Sequence, residues 1–258
     1  VARASVRLAQ DYPGLKVSVH AAATWAETPE ALAEAKAAIA SADMVVANLL
    51  FLEEHITPIL DDLRAVRDRV DGMIGVIADA EIIKLTKLGK LDMSKPASGL
   101  MKLLKKLRPK QDSNKDKGEK RMAQLRRLPK LLKMIPGKAQ DLRSWFLVMQ
   151  YWLGGSDDNI EAMVRYLLGK YARSREEWLG GEAPQPIDYP DVALYHPDLQ
   201  QRITEDATDI SGPANPVGTV GLLMMRSYVL SDDTAHYDAV IRKLESKGLR
   251  VLPAFAGG

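Results

Sequence analysis

MVVANLLF (residues 44–51) and MIGVIA (residues 73–78) are the stretches that decide the fold. Almost every residue in them is apolar, as in parallel strands that helices cover on both faces. The flanking segments are helical in pattern: residues 29–40, with Thr28 as N-cap and Pro29 in the first turn, and residues 56–70, which are charged along one face. We therefore expect two central strands of one parallel sheet in an α/β layer architecture.

The N-terminal segments extend this α/β pattern. Residues 1–10 are helical in pattern, and apolar and polar residues alternate from 15 to 21, which predicts a half-buried strand near a sheet edge. A doubly wound domain normally has a strand before its first helix. Residues 1–95 are therefore predicted to be a Rossmann-like, doubly wound domain whose first strand lies before Val1, in a longer protein.

The composition changes sharply in the next segment. Half of the 36 Lys and Arg residues lie between residues 84 and 138. Within that stretch PKQDSNKDKGEK (residues 109–120) has no apolar residue, which predicts an exposed, mobile loop. Amphipathic helices follow, and the third is capped by Ser156. Residues 96–178 are predicted to be a basic loop and a helical region.

A proline-rich connection and a second α/β unit complete the chain. Residues 179–218 contain six prolines and one short predicted strand, residues 192–195. Residues 220–225 and 249–255 are predicted strands on either side of a helix at 236–246, with Gly248 at its C-terminal end. This length suits a right-handed parallel crossover. Residues 219–258 are expected to begin a second α/β domain that continues beyond Gly258.

Several classes of chemistry lack their signatures in this sequence. The chain has no cysteine, which excludes thiolate metal sites and thiol catalysis. It contains no Walker A loop, no dinucleotide glycine fingerprint, no HExxH and no GxSxG. Its four histidines are scattered, so we assign no metal ligand. The basic stretch has no interleaved aromatic residues, and we expect no nucleic-acid partner.

A cluster of large side chains at residues 145–152 has two interpretations. Trp145, Phe146, Met149, Tyr151 and Trp152 could line a flat apolar cavity of the kind that a tetrapyrrole needs. Their helical spacing favours ordinary core packing instead.

LPKLLKMIPGKAQDLRSWFLVMQYWLGGSDDNIEAMVRYL (residues 128–167) carries the specific signal. It resembles the corresponding helical region of the large, porphyrin-binding (H) subunits of magnesium chelatases, with its KAQD turns followed by a QxWLGGSxDN element. Residues 82–99, the ALYHPD run (residues 193–198) and residues 220–258 agree in order and spacing. The members of that family are several times longer than this chain.

The resemblance implies part of a ligase subunit that binds protoporphyrin IX and accepts Mg²⁺ as the substrate metal for chlorophyll or bacteriochlorophyll synthesis. It implies an AAA+ ATPase subunit that hydrolyses ATP and a bridging subunit as partners. It also implies that the catalytic residues lie beyond Gly258, so we assign none here, and that this piece alone is inactive. The expected location is the bacterial cytoplasm, or the stroma in a plastid, and peripheral membrane association is compatible with it.

Two other functions stay open at this point. The large subunit of cobaltochelatase, which metallates a corrin precursor, would share the α/β unit at 220–258 but match poorly over 128–167. A basic scaffold or membrane-surface module would bind anionic lipid without tetrapyrrole affinity. For substrate binding the sequence offers Arg226, Ser227, His236 and Tyr237, which follow the strand at 220–225 and begin the next helix. Arg226 is the first candidate because a guanidinium can pair with a propionate through two hydrogen bonds.

Overall fold

The computed structural model describes residues 1–95, 129 and 132–256, which form helices and two small mixed sheets. The helices are α1 (Ala2–Asp11), α2 (Pro29–Ser41), α3 (Glu53–Val66), α4 (Ala80–Lys84), α5 (Lys138–Gly154), α6 (Asp157–Tyr171), α7 (Arg226–Leu230) and α8 (Ala235–Glu245). The strands are β1 (Met44–Asn48), β2 (Gly72–Val76), β3 (Lys87–Leu88), β4 (Leu91–Asp92), β5 (Val192–Tyr195), β6 (Ile203–Thr204), β7 (Gly218–Met225) and β8 (Leu249–Ala256). The mixed α/β class predicted from the sequence is confirmed.

The described chain divides into two compact units. Unit 1 contains residues 1–153 and 160–186, and unit 2 contains residues 154–159 and 187–258. Among the described residues, no helix is long and apolar enough to cross a membrane. The domain limits proposed after residues 95, 178 and 218 stay a prediction, and the mobile loop proposed at 109–120 lies outside the described residues.

The sheet of unit 1 has the order β1-β2-β3-β4. β1 and β2 are parallel, with Met44 opposite Gly72 and Asn48 opposite Val76, which confirms that the two apolar stretches pair in one sheet. β2 is buried along its whole length. Both strands were expected to be central, but in the described part of the chain β1 is the edge strand, because β2 uses its other side to pair with the short β3–β4 hairpin.

The strand predicted at residues 15–21 is not formed. This segment has extended backbone but pairs with no strand among the described residues. The predicted alternation holds for Leu15 and Val17, which are half-buried with the exposed Lys16 between them, but it fails at Val19, which is 64% exposed. A strand also needs a hydrogen-bonded neighbour, which alternation within one segment cannot supply.

The helices of unit 1 follow their apolar patterns. α2 begins at Pro29 after Thr28, as predicted, and α3 buries Ile59 and Leu63 against the first sheet's core. α5 directs Leu142, Phe146 and other apolar residues into a core that includes strand β2. Phe146, Met149 and Tyr151 are buried there, so core packing is the correct interpretation for these members of the aromatic and methionine cluster.

Asp141 fastens the β3–β4 hairpin to the helices. One of its carboxylate oxygens accepts a 2.8 Å hydrogen bond from the backbone N–H of Lys90, and the other accepts a 2.9 Å bond from the hydroxyl of Tyr171. Gly89, with φ +55°, turns the hairpin so closely past this carboxylate that a Cβ would lie 2.7 Å from it. A carboxylate on α5 thus joins the hairpin to α6.

The sheet of unit 2 has the order β6-β5-β8-β7. β7 and β8 are parallel over eight residues and are connected through α7 and α8, which confirms the predicted strand, helix, strand unit. Gly248 follows α8 with φ +79°, the left-handed conformation expected of a glycine that ends a helix. β5, the short strand predicted in the proline-rich connection, pairs antiparallel with β8.

The turn between α5 and α6 is built by residues 154–159, the GGSDDN element. Ser156 Oγ accepts a 3.2 Å hydrogen bond from the Asn159 N–H, which confirms the predicted cap. The buried Asn159 amide exchanges two hydrogen bonds with the backbone of Ile187, at 2.9 and 2.8 Å. A side chain on Gly154 would collide with the Asn159 amide nitrogen. The element is therefore shaped around one buried asparagine.

Candidate functional site

The four residues predicted to bind substrate meet at the carboxyl end of β7. Arg226 and Ser227 begin α7 directly after the strand. The hydroxyl of Tyr237, on α8, accepts a 3.2 Å hydrogen bond from the Met225 N–H at the last residue of β7. The His236 ring lies 4.1 Å from the Tyr237 ring, centroid to centroid. The four residues thus lie close together in the fold, and their role in binding stays a prediction.

The guanidinium of Arg226 contacts the proline-rich connection. It donates hydrogen bonds of 3.2 Å to the backbone carbonyls of Tyr189 and Pro190. These bonds hold the connection just before β5, an architectural task that the sequence did not reveal.

An exposed aromatic group lies beside Arg226. The rings of Tyr228 and His236 meet edge to face at 5.1 Å, and those of Tyr228 and Tyr237 at 6.1 Å. Tyr228 and His236 are exposed, as are Ser227 and Met225. The exposed aromatic group thus lies at the carboxyl end of β7, on the surface of unit 2.

A polar network that the sequence analysis missed positions α8. The hydroxyl of Tyr195, on β5, donates to Asp238 at 2.6 Å and lies 2.9 Å from Thr234 Oγ1. Arg202 donates to Asp238 at 2.9 Å and to Asp232 at 2.7 Å. Burial, followed by the hydrogen bond to Asp238, raises the pKa of Tyr195 to about 12, so it remains a neutral donor. In the sequence, Asp232 and Asp238 look like ordinary solvent-exposed carboxylates, so nothing there predicted this network.

His196 is a structural residue. It is buried, and its Nδ1 accepts a 3.3 Å hydrogen bond from the Asp198 N–H, so Nε2 carries the proton toward Glu245 at 3.0 Å. In the part of the chain that the structure describes, no three His, Cys, Asp or Glu side chains are grouped to hold a metal ion.

Comparisons with known proteins identify both parts of the chain. Residues 1–146 match the family model "Domain of unknown function (DUF3479)", and residues 149–258 match the model "CobN/Magnesium Chelatase". The chain is 61% identical over 257 residues to the magnesium-chelatase H subunit of Rhodobacter capsulatus, and equally so to that of Cereibacter sphaeroides. Each alignment covers 100% of this chain and 22% of the relative.

More distant relatives follow. The chloroplastic magnesium-chelatase protein ChlH of rice is 31% identical over 236 residues, covering 85% of this chain and 17% of the relative. A solved structure of the catalytic subunit of cobaltochelatase from Mycobacterium tuberculosis aligns with a TM-score of 0.42 and 16% identity, covering 90% of this chain and 14% of that one. The chain spans about a fifth of the length of the curated relatives it matches.

Proposed function

Since the chain belongs to the family of magnesium-chelatase H subunits, we propose that it is part of the porphyrin-binding subunit of an enzyme that inserts Mg²⁺ into protoporphyrin IX. The observation that carries this proposal is the 61% identity over the whole chain to two bacterial H subunits. The cobaltochelatase alternative is supported only by a distant likeness. An ATP-hydrolysing AAA+ subunit and a bridging subunit are the proposed partners, in the cytoplasm of a bacterium.

The chemistry of insertion limits what this part of the subunit does. Both pyrrole N–H protons must leave the porphyrin while Mg²⁺ loses tightly held water, which requires a base and oxygen ligands close together. The described residues hold no such group of carboxylates or imidazoles. We therefore propose that this part binds and orients the porphyrin, and that proton removal belongs to residues elsewhere in the subunit.

The carboxyl end of β7 is the proposed binding surface. Ligands of parallel α/β units bind beyond the carboxyl ends of the strands. Arg226 would face a propionate, Ser227 would add a hydroxyl, and the rings of His236 and Tyr237 would lie against the macrocycle. The exposed arrangement of Ser227 and His236 around the end of β7 supports this proposal.

A segment exchange tests the function. The 257 matching residues of the Rhodobacter capsulatus protein are replaced by this chain, and Mg²⁺ insertion is followed by fluorescence with the partner subunits and ATP present. We expect a rate within about tenfold of the parent, a change of about 1.4 kcal/mol or less in the activation free energy. The matched control carries the corresponding segment of a cobaltochelatase catalytic subunit and should be inactive. A folded exchange protein that binds its partners but inserts no magnesium would contradict the proposal.

A further inference from the structure

Three large apolar side chains are exposed in the loop that follows β1. The exposed fractions are 55% for Leu49, 56% for Phe51 and 53% for Leu52, whereas Leu50 between them is buried. Single exposed apolar residues are common on protein surfaces, but a contiguous group of large ones is typical of an interaction surface. We call Leu49, Phe51 and Leu52 the apolar loop.

The ends of the parallel strands hold the apolar loop in this conformation. Leu49 has φ +55°, in the left-handed region that residues other than glycine rarely adopt. Its N–H donates a 2.9 Å hydrogen bond to the Ile77 carbonyl, and the Leu50 carbonyl accepts a 2.8 Å bond from the Asp79 N–H. The loop is therefore fixed at the carboxyl ends of β1 and β2, where open α/β sheets bind their ligands.

A groove of about 330 Å³ lies beside the apolar loop, at the first turns of α3 and α4. Its lining residues are Phe51, Glu53, Ile56, Thr57, Leu60, Asp79 and Glu81. None of them is basic. The groove thus combines apolar walls with carboxylates of one sign of charge.

The exposed carboxylates of this surface form no ion pair with a cation among the described residues. They belong to Glu53, Glu54 and Glu81, each in the first turn of a helix, where the helix dipole favours a negative charge. The surface therefore offers apolar contact together with negative charges that nothing described neutralises. Both properties suit a basic, amphipathic segment.

We propose that the groove and the apolar loop bind residues 100–108 of this same chain, LMKLLKKLR, which lie outside the described residues. The apolar residues at 100, 103, 104 and 107 have the spacing of one helix face. The basic residues of the segment are Lys102, Lys105, Lys106 and Arg108. No acidic residue lies between residues 93 and 111, so the charge of the segment complements that of the groove.

The chain is long enough to reach this surface. Lys95, the last residue described before the segment, pairs with Asp92 at 3.2 Å, and Asp92 pairs with Arg67 at the C-terminal end of α3. The groove lies at the other end of α3, which has 14 residues and is therefore about 21 Å long. Four extended residues span about 13 Å and a nine-residue helix about 14 Å, so residues 96–108 can cover that distance.

This inference does not depend on the proposed porphyrin chemistry, because it concerns a contact within unit 1. The first test replaces Phe51 with a benzophenone amino acid in the full-length subunit, and the photo-cross-linked peptide is identified by mass spectrometry. We expect a peptide from residues 100–108 of the same molecule. The matched control carries the benzophenone at Val6, which is 67% exposed on α1, and should not give that product.

Any other cross-linked product overturns the inference. Equal mixtures of light and heavy isotope-labelled subunit identify products that join two copies, which would mean that the surface is an interface between subunits. A cross-link to a different segment or to a partner subunit would mean that another occupant covers the groove. Absence of any product would mean that the groove is open to water.

The second test reverses the charges. Glu53→Lys combined with Glu81→Lys should lower the yield of the Phe51 cross-link by about tenfold or more, because like charges then face each other. Adding Lys105→Glu and Lys106→Glu should restore the yield, which also shows that the variants fold. The matched control is Glu176→Lys with Glu177→Lys, the same change of charge at two other exposed carboxylates. A yield that the first reversal leaves unchanged, or that the second fails to restore, would show the inference to be wrong.

Discussion

The hydroxyl of Tyr195 lies 2.6 Å from a carboxylate oxygen of Asp238, so a hydrogen bond joins β5 to the first turn of α8. The Tyr195 ring is fully buried and the guanidinium of Arg202 lies 5.4 Å from its centre. Together with the bond from Arg202 to Asp238, this contact orients α8, which carries His236 and Tyr237.

Replacing Tyr195 with phenylalanine should therefore destabilise unit 2. The variant keeps the ring but removes the donor to Asp238 and the contact with Thr234, which should lower the free energy of unfolding by about 1–2 kcal/mol. Tyr228→Phe is the control, because that ring is exposed and should change stability by less than about 0.5 kcal/mol. Urea denaturation measures both variants. Equal midpoints for the two would show that the Tyr195 hydroxyl is not needed.

Replacing each of two strand glycines with alanine should change the stability of the protein in different ways. At Gly75 of β2, a Cβ would lie 2.5 Å from the backbone carbonyl oxygen of Ile82, so α4 would have to move. Gly75→Ala should cost about 1–3 kcal/mol. At Gly221 of β7, a Cβ meets nothing within 4 Å, so Gly221→Ala should be neutral or slightly stabilising. Thermal unfolding compares them, and a tolerated alanine at residue 75 would contradict the close packing of α4 on β2.

Asp92 should contribute stability that disappears in acid. Its burial opposes ionisation, but hydrogen bonds from Ser94 and from the Arg67 guanidinium outweigh burial and hold the pKa of Asp92 well below its usual range. A carboxyl with a lowered folded-state pKa stabilises the fold above its unfolded pKa, about 3.9, and loses that contribution as the pH falls further. Asp92→Asn should therefore be less stable than the parent at pH 7 and approach it below about pH 4.

The matched control for this pH dependence is Asp61→Asn, since the Asp61 side chain is 94% exposed and pairs only with Arg64 on its own helix among the ion pairs described. Urea midpoints across the pH series give the comparison. A difference between Asp92→Asn and the parent that stays constant from pH 7 to pH 3 would refute the assignment.

Arg226→Ala should weaken porphyrin binding by the full-length subunit. Loss of a charged, two-point contact to a propionate should raise the Kd for deuteroporphyrin about tenfold or more, measured by fluorescence titration. Arg250→Ala is a matched control, because Arg250 also donates to a backbone carbonyl, that of Ala207, but lies at the amino end of the same sheet. If both variants bind as the parent does, Arg226 only fixes the connection at Tyr189 and Pro190.

The parts of the fold that were predictable are those determined by neighbours in sequence. The apolar runs of β1, β2, β7 and β8 and the caps at Thr28, Ser156 and Gly248 all follow from local patterns. The edge position of β1 and the unpaired state of residues 15–21 depend on which strands lie beside them, and no local pattern records that. The two-residue strands β3 and β4 are too short to have a period.

The location of the candidate site could be predicted from the sequence, but the contacts that its residues make could not. That Arg226, Ser227, His236 and Tyr237 lie together follows from the chain leaving β7 and entering α8. The carbonyls that Arg226 contacts are 36 and 37 residues away in sequence, and the Tyr195–Asp238 bond spans 43 residues. A sequence motif cannot predict contacts between residues so far apart, because each partner by itself looks like an ordinary loop or surface residue.

The GGSDDN element has a consequence for surveys of genomes. Gly154 leaves space for the Asn159 amide, Ser156 caps α6, and the Asn159 amide is hydrogen-bonded to the backbone of Ile187. These three residues of the element therefore have structural roles. The Ser156 hydroxyl and the Asn159 amide are thus both committed to contacts within the protein. A search that relied on Gly154, Ser156 and Asn159 would therefore retrieve the scaffold in any organism that keeps it, whichever tetrapyrrole that organism metallates.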